Sequence, residues 1–243
     1  MSLRKGIGFC QQSESRQLPR FLSGGMMILN NKTKHIIVYI VGMFILALGL
    51  TLNTKANLGV SLIISVPYSI SQITGMNFGN LTFIEYVVFV FIQIWIHLSE
   101  RNKKRILSDL LQLPLSLVFT RLLNIFSVYI PTSNQFGIQF LILAMAIICT
   151  GVGAAMSLSM QFVPNPGDGI VQALAAKFNK SVGLTKNMFD CICVCLTLSI
   201  GLIFARKIIG IGIGTVIAVL GVGRVIALFH HMFESQIIEL IQE

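Results

Sequence analysis

The chain has 243 residues, of which 54% are hydrophobic and 11% are charged, and its mean hydropathy is +0.81. This balance excludes a water-soluble globular protein and predicts a multi-pass α-helical protein of a lipid bilayer. The formal net charge of +9 comes from basic residues that lie between the apolar runs, a pattern typical of topology signals, so we expect no nucleic-acid partner.

Residues 1–35 are polar and basic and show no helical periodicity, which predicts a disordered cytosolic tail. No cleavable signal peptide is apparent, so we expect the first span to direct membrane insertion. Met26 or Met27 is a candidate for the natural start of translation.

Six apolar runs are close to the roughly 20 residues that a helix needs to cross the hydrocarbon core. They cover residues 36–52, 81–98, 106–130, 137–162, 188–205 and 208–229. Two shorter segments, 60–71 and 170–178, are too short to cross comfortably. The fold class predicted is therefore an all-α membrane protein, with one integral membrane domain at 36–230 and a cytosolic amphipathic tail at 231–243.

The distribution of Lys and Arg indicates the orientation, because cytoplasmic connections carry the positive excess. If the short segments do not cross, 13 basic residues lie inside and 3 outside; if both cross, the division is 9 to 7. The first arrangement predicts six spans with both termini in the cytoplasm.

The order of the elements predicts two inverted repeats, residues 36–130 and 137–230, each with three spans and one short broken or re-entrant helix. Gly49 and Gly79 align with Gly153 and Gly183 at a single offset of 104 residues. The alternative interpretation is an ordinary six-span bundle.

Ionisable residues inside spans are costly, so each is a candidate for function or for pairing. Glu85 and Arg121 fall at similar depth in the first half, and Asp190 and Arg224 do so in the second. We predict one gating or ion pair in each half. Asp109 also lies within a span. Snorkelling to the headgroups and fixed structural pairs are the alternatives.

The most unusual local pattern is VPNPGDG at 163–169, because two prolines forbid a continuing helix and an acid follows that can cap the next one. Broken helices in transporters expose backbone groups to substrate, which makes Asn165, Asp168 and Gln172 candidate binding residues. The corresponding first-half stretch contributes Asn57 and Ser61. The alternative is a cytosolic turn followed by a helix on the membrane surface.

Other patterns favour packing over chemistry. Gly210, Gly214 and Ala218 form a small-residue stripe that predicts close helix packing at the start of the sixth span, and His97 is predicted to lie at the membrane interface. The sequence contains no catalytic set and no metal-ligand cluster, so we expect neither an enzyme, nor a cofactor, nor a metal site.

The stretches VPNPGDGIVQAL, SVGLTKNMFD and GIGIGTVIAVLGVGRVIALF resemble the YczE/YyaS/YitT group of bacterial integral membrane proteins. The ANLGVS stretch of the first half is similar but lacks the Pro-Trp that often follows the serine in that group. The resemblance implies a bacterial cytoplasmic membrane and this span layout, and it implies no substrate.

The leading hypothesis is a small secondary transporter or permease of an unidentified small solute. The alternative is a non-transporting accessory protein that assists export, signalling or assembly through a membrane partner. The expected partners are the lipid bilayer and either the solute, a second copy in a homodimer, or another membrane protein.

Overall fold

The computed structural model describes the backbone of residues 31–99, 103–160 and 162–242, and within these ranges the side chains from 33 to 233. Most of the predicted N-terminal tail, with Met26 and Met27, lies outside the described residues, as do the side chains of the C-terminal amphipathic tail beyond 233. The described chain forms eight α-helices: α1 (Asn31–Lys55), α2 (Ser65–Thr74), α3 (Phe78–Ser99), α4 (Lys103–Tyr129), α5 (Phe136–Ser159), α6 (Pro166–Lys177), α7 (Val182–Ile200) and α8 (Ile213–Gln242). A 3₁₀ turn, Leu62–Ile64, precedes α2, and a π-helical turn, Gly201–Ala205, continues α7.

Six of these helices, namely α1, α3, α4, α5, α7 and α8, are long and apolar enough to cross a membrane. The predicted all-α, six-span membrane fold is therefore confirmed. The two remaining helices are short: α2 has 10 residues and α6 has 12. They follow α1 and α5 and overlap the two short segments predicted at 60–71 and 170–178.

The predicted start of the fifth span is six residues too late, since α7 begins at Val182 and not at 188. The Ser181 hydroxyl accepts a hydrogen bond from the Leu184 N–H at 3.3 Å and caps the helix. The second turn of α7 carries Lys186 and Asn187, so a search for apolar length alone starts the span after them.

The predicted start of the sixth span is five residues too early, because residues 206–212 form a connection and α8 begins at Ile213. Gly210 has φ +82°, a left-handed conformation that a right-handed α-helix does not contain, so α8 does not extend back to this residue. Its carbonyl accepts the Val60 N–H at 2.9 Å, and the Gly214 N–H donates to the Leu58 carbonyl at 2.8 Å. The glycines of GIGIG therefore pack against the loop after α1. The small-residue stripe predicted within the helix is wrong at Gly210.

Among the described helices, α1 and α5 form the most extensive contact, and two glycines allow it. An added Cβ on Gly49 would collide with the backbone of Thr150, and one on Gly153 would collide with the backbone of Leu46. Each glycine thus lets the opposite helix approach closely, as small residues do between membrane helices.

The short helix α6 is inserted between spans, since it packs against α3, α4 and α7. Seven of its residues are buried: Pro166, Gly167, Gly169, Ile170, Val171, Ala173 and Ala175. A helix that lay free on the membrane surface would be buried on one side only, so the burial of α6 against three spans favours the predicted broken helix over the surface-helix alternative. On the other side of the molecule, α2 packs against α3 and α7.

The hydrophobic core lies where both short helices meet the spans. It is rich in aromatic rings: Tyr86 and Phe89 of α3 pack with Phe119 of α4 and Phe189 of α7. The outer faces of the spans carry large exposed apolar side chains, such as Trp95 with 71% of its surface exposed. In water such a surface would aggregate, whereas in a bilayer it faces lipid.

Candidate functional site

The chain is broken between α5 and α6, and the break is held in a defined conformation. Asn165 stands at the N-terminal cap of α6, and its carbonyl accepts the N–H groups of Asp168 at 2.9 Å and Gly169 at 2.8 Å. Pro166 occupies the first helical position, where a missing N–H costs nothing. The Tyr39 hydroxyl of α1 donates to the Val163 carbonyl at 2.9 Å. The break is thus anchored to the first span.

Two glutamines hold the start of α6 from the other side. Gln93 of α3 and Gln112 of α4 form reciprocal side-chain hydrogen bonds of 3.3 and 2.9 Å, and Gln93 also donates to the Pro166 carbonyl at 3.3 Å. Gly169 sits directly against this pair: a Cβ there would be 2.5 Å from the Gln93 amide oxygen. Both glutamines are fully buried, so their amides are satisfied by each other and by α6.

A cavity of about 300 Å³ opens beside the break. The predicted residues Asn165, Asp168 and Gln172 all line it. The remaining polar wall comes from spans of both predicted halves: Tyr39, Tyr86, Gln112, Ser116 and Ser157. Its size falls at the lower end of small-molecule sites.

A smaller cavity of about 130 Å³ shares Asn165 and Asp168 with the main one. The predicted Ser61 lines it, together with Thr150 of α5 and Lys186 of α7. Because Asn165 and Asp168 line both cavities, they form the centre of the site.

The electrostatics of the site centre on Asp168. Burial raises the pKa of the Asp168 carboxyl, and the Lys186 ammonium opposes this shift by favouring the carboxylate. The Lys186 ammonium also lies 3.9 Å from the Asp190 carboxylate, one helical turn along α7. The position of Asp168 in the first turn of α6 favours its charged form further.

The other predicted first-half ligand, Asn57, lies elsewhere. It is exposed in a left-handed conformation with φ +56° and lines a separate surface depression with Tyr68 and Gln72. Ser61 is the one polar residue of the first-half stretch that lines either central cavity, where Ile63 and Ile64 lie beside it.

The structure does not bring the predicted acid and arginine pairs together. Arg121 is exposed and donates to the Asn80 side chain at 2.9 Å, while one oxygen of Glu85 is buried with no hydrogen-bond partner among the described residues. The cation near Asp190 is Lys186, and Arg224 is exposed on α8. A gating role for these four residues stays a prediction.

The sequence analysis did not predict a buried His–Asp pair that joins α3 to α4. His97 Nδ1 lies 2.6 Å from the Asp109 carboxylate, and both residues are at least 95% buried. His97 therefore faces α4 and not the lipid headgroups, because α4 covers that face of α3, while its predicted interfacial depth stays a prediction. Gln112 donates to the same carboxylate at 3.4 Å, which links the ion pair to the glutamines that hold α6. A signal was available, since Asp109 is an acid within a span and requires a partner.

This ion pair lines a further cavity of about 250 Å³ that shares Gln112, Phe162 and Gln172 with the main one. Gln172 lines both cavities and is exposed at the protein surface, so it marks the outer end of the site. Among the described residues, no group of three or more His, Cys, Asp or Glu is placed to hold a metal ion.

The six apolar helices, the inserted short helices and the buried polar cavity define a multi-pass helical membrane protein. Residues 33–231 match a family of unknown function, DUF6198, and the chain belongs to this family. No curated protein and no solved structure matches the chain. The family match does not name the YczE/YyaS/YitT group, so that finer resemblance stays a prediction.

Proposed function

We propose that this protein is a small secondary transporter, with its substrate site in the cavity at the break between α5 and α6. The observation that supports the proposal best is the position of the cavity. It combines a broken helix with polar side chains from α1, α3 and α4 in the interior of a six-span protein. Non-helical backbone at membrane depth is tolerated where it lines a cavity, and secondary transporters use such breaks as substrate sites.

The packing of α1 against α5 supports two related halves. Gly49 contacts Thr150, and Leu46 contacts Gly153. One contact becomes the other when 104 is added to the first-half residue number and subtracted from the second-half one. Other helix pairs follow the same exchange: α1 packs on α4 as α5 does on α8, and α3 packs on α6 as α7 does on α2. An inverted repeat would produce this reciprocity.

The two halves also differ in a way that suits alternating access. α3 packs closely along α4, whereas the described residues of α7 and α8 do not form a corresponding pair. Transporters with inverted repeats expose one side at a time because the two halves take up different arrangements around a shared site. With the predicted orientation, α6 and the outer end of the cavity face the cytoplasm of a bacterial cell.

The proposal is tested by a ligand screen followed by a flux assay. Purified protein is screened for thermal stabilisation against small molecules of broad chemical classes, and each hit is repeated with Asp168→Asn. Arg224→Ala is the matched control, because Arg224 is charged but exposed and far from the cavity lining.

We expect hits whose stabilisation is lost in Asp168→Asn and kept in Arg224→Ala, and which cross the membrane of proteoliposomes. Hits that do not cross would refute transport. If no class stabilises the protein and none crosses, the accessory role becomes the better explanation.

One observation favours that accessory role as a second candidate. α8 continues as one helix to Gln242, past the predicted end of the sixth span at residue 229. A helical extension of this kind offers a docking element for a membrane partner. Removing residues 234–243 should then abolish partner capture from membranes while leaving the fold intact; capture that persists would argue against this role.

A further inference from the structure

We propose that the central cavity binds a small organic cation whose positive group pairs with Asp168. This inference rests on the proposed function, because it names the substrate class of the same site. It follows from the hydrogen-bonding capacity of the cavity wall, from its charge and from its aromatic rings.

Several polar groups of the cavity wall donate their hydrogen bonds to the protein itself. The hydroxyls of Ser116 and Ser157 donate to the carbonyls of Gln112 and Gly153 at 2.6 and 2.9 Å, and the Tyr39 hydroxyl donates to Val163. The Gln112 amide donates to Gln93. The lone pairs of the two serine oxygens remain available to a ligand.

Two acceptors lie at the centre of the site. The side-chain oxygen of Asn165 is buried with no hydrogen-bond partner among the described residues, and the Asp168 carboxylate lines both cavities beside it. A buried acceptor such as the Asn165 oxygen is costly unless a donor satisfies it. A ligand with N–H donors and a positive charge satisfies the Asn165 oxygen and pairs with the Asp168 carboxylate.

The charge around the site is also negative. Lys186 is the one basic residue that lines either central cavity within the described chain, and its ammonium lies beside Asp190. Two carboxylates, Asp168 and Asp190, thus face one ammonium. The N-terminus of α6 contributes roughly half a positive charge, which does not balance this excess.

An anionic ligand fits this arrangement poorly. It would lie against the Asp168 carboxylate, and it would find the hydroxyl donors of Tyr39, Ser116 and Ser157 already engaged with backbone carbonyls. Lys186 reaches only the smaller cavity, so the main cavity has no basic side chain of the described chain in its wall.

Aromatic rings surround the proposed cation. Tyr39 packs against Phe162 with ring centroids 5.7 Å apart, Tyr86 packs against Phe119 at 6.2 Å, and all four rings line the main cavity. Ring faces attract ammonium groups, and the apolar edges accept a hydrocarbon body. The volume of about 300 Å³ limits the ligand to a small cation.

A matched series of three probes tests the inference: benzylammonium, benzyl alcohol and benzoate, which share one body and differ in charge. Binding to the full chain in lipid nanodiscs is measured by calorimetry near pH 8. Asp168→Asn removes the paired carboxylate, Asp168→Glu keeps the charge, and Asp190→Asn removes the neighbouring carboxylate, which pairs with Lys186 and lines neither cavity.

We expect benzylammonium to bind the wild type at least about tenfold more tightly than the other two probes, and Asp168→Asn to remove about tenfold or more of that affinity. Asp168→Glu should retain most of it, and Asp190→Asn should change it less than Asp168→Asn does. Thermal melting of each variant establishes that it is folded.

Tighter binding of benzoate, equal binding by Asp168→Asn, or no binding of any probe overturns the inference. Flux of benzylammonium into proteoliposomes separates the two proposals. If benzylammonium binds but does not cross, transport is refuted and the cation site is supported. If a neutral or anionic solute crosses and benzylammonium does not, transport is supported and the cation site is refuted.

Discussion

Replacing Gly49 or Gly153 by alanine should destabilise the protein by separating α1 from α5. An added Cβ on Gly49 would lie 2.9 Å from the Cys149 carbonyl carbon, and one on Gly153 would lie 2.8 Å from the Leu46 Cα. Optimal carbon–carbon separations are about 3.5–4.0 Å, so each methyl overlaps backbone atoms that no rotamer change can move.

The magnitude follows from two opposing effects. Overpacking of a close contact costs about 1–3 kcal/mol. The higher helix propensity of alanine returns up to about 1 kcal/mol. A net loss near 2 kcal/mol corresponds to a fall in Tm of roughly 4–8 °C for a chain of this length.

The assay is the fraction of monodisperse protein that remains after heating in detergent, measured by size-exclusion chromatography. Gly137→Ala in α5 is the matched control, since nothing lies within 4 Å of a Cβ there, and its Tm should be unchanged or slightly higher. Equal losses for Gly49→Ala and Gly153→Ala are expected if the halves are related. If both variants keep the wild-type Tm, the close crossing of α1 and α5 is refuted. If only one variant loses stability, the equivalence of the two glycine contacts is refuted.

Three further predictions concern the cavity and its supports. Because burial raises the pKa of Asp168 and a cation needs the carboxylate, benzylammonium affinity should be constant above that pKa and fall about tenfold per pH unit below it; calorimetry across pH should show no such slope in Asp168→Asn. Gly169→Ala should displace the Gln93 amide and lower Tm by several degrees, with Gln93→Ala restoring part of the loss in the double variant; an unchanged Tm would contradict the close contact. Removing either His97 or Asp109 leaves the other buried without its partner and should cost about 3–5 kcal/mol, whereas the double variant should cost less than the sum of the singles; additive losses in melting experiments would show that the pair does not interact.

Much of the fold was predictable from the sequence, because crossing a bilayer imposes one-dimensional requirements. A run of apolar residues must be long enough to span the hydrocarbon core, and this length alone identified six spans and two short helices. The break at residues 163–168 was equally visible, since Pro164 and Pro166 cannot continue a helix whatever surrounds them. The candidate residues Asn165, Asp168 and Gln172 followed from that local chemistry. In the structure, all three line the main cavity.

What only the tertiary structure decided is which side of each helix faces which neighbour. Hydropathy gives the depth of a residue in the membrane, but two residues at equal depth meet only if their helices are rotated toward each other. Arg121 shares the depth of Glu85 and yet contacts Asn80. His97 has the depth of an interfacial residue and yet is buried against Asp109. The approach of Gly169 to the glutamine pair is likewise a contact between distant segments, set by the packing of three helices.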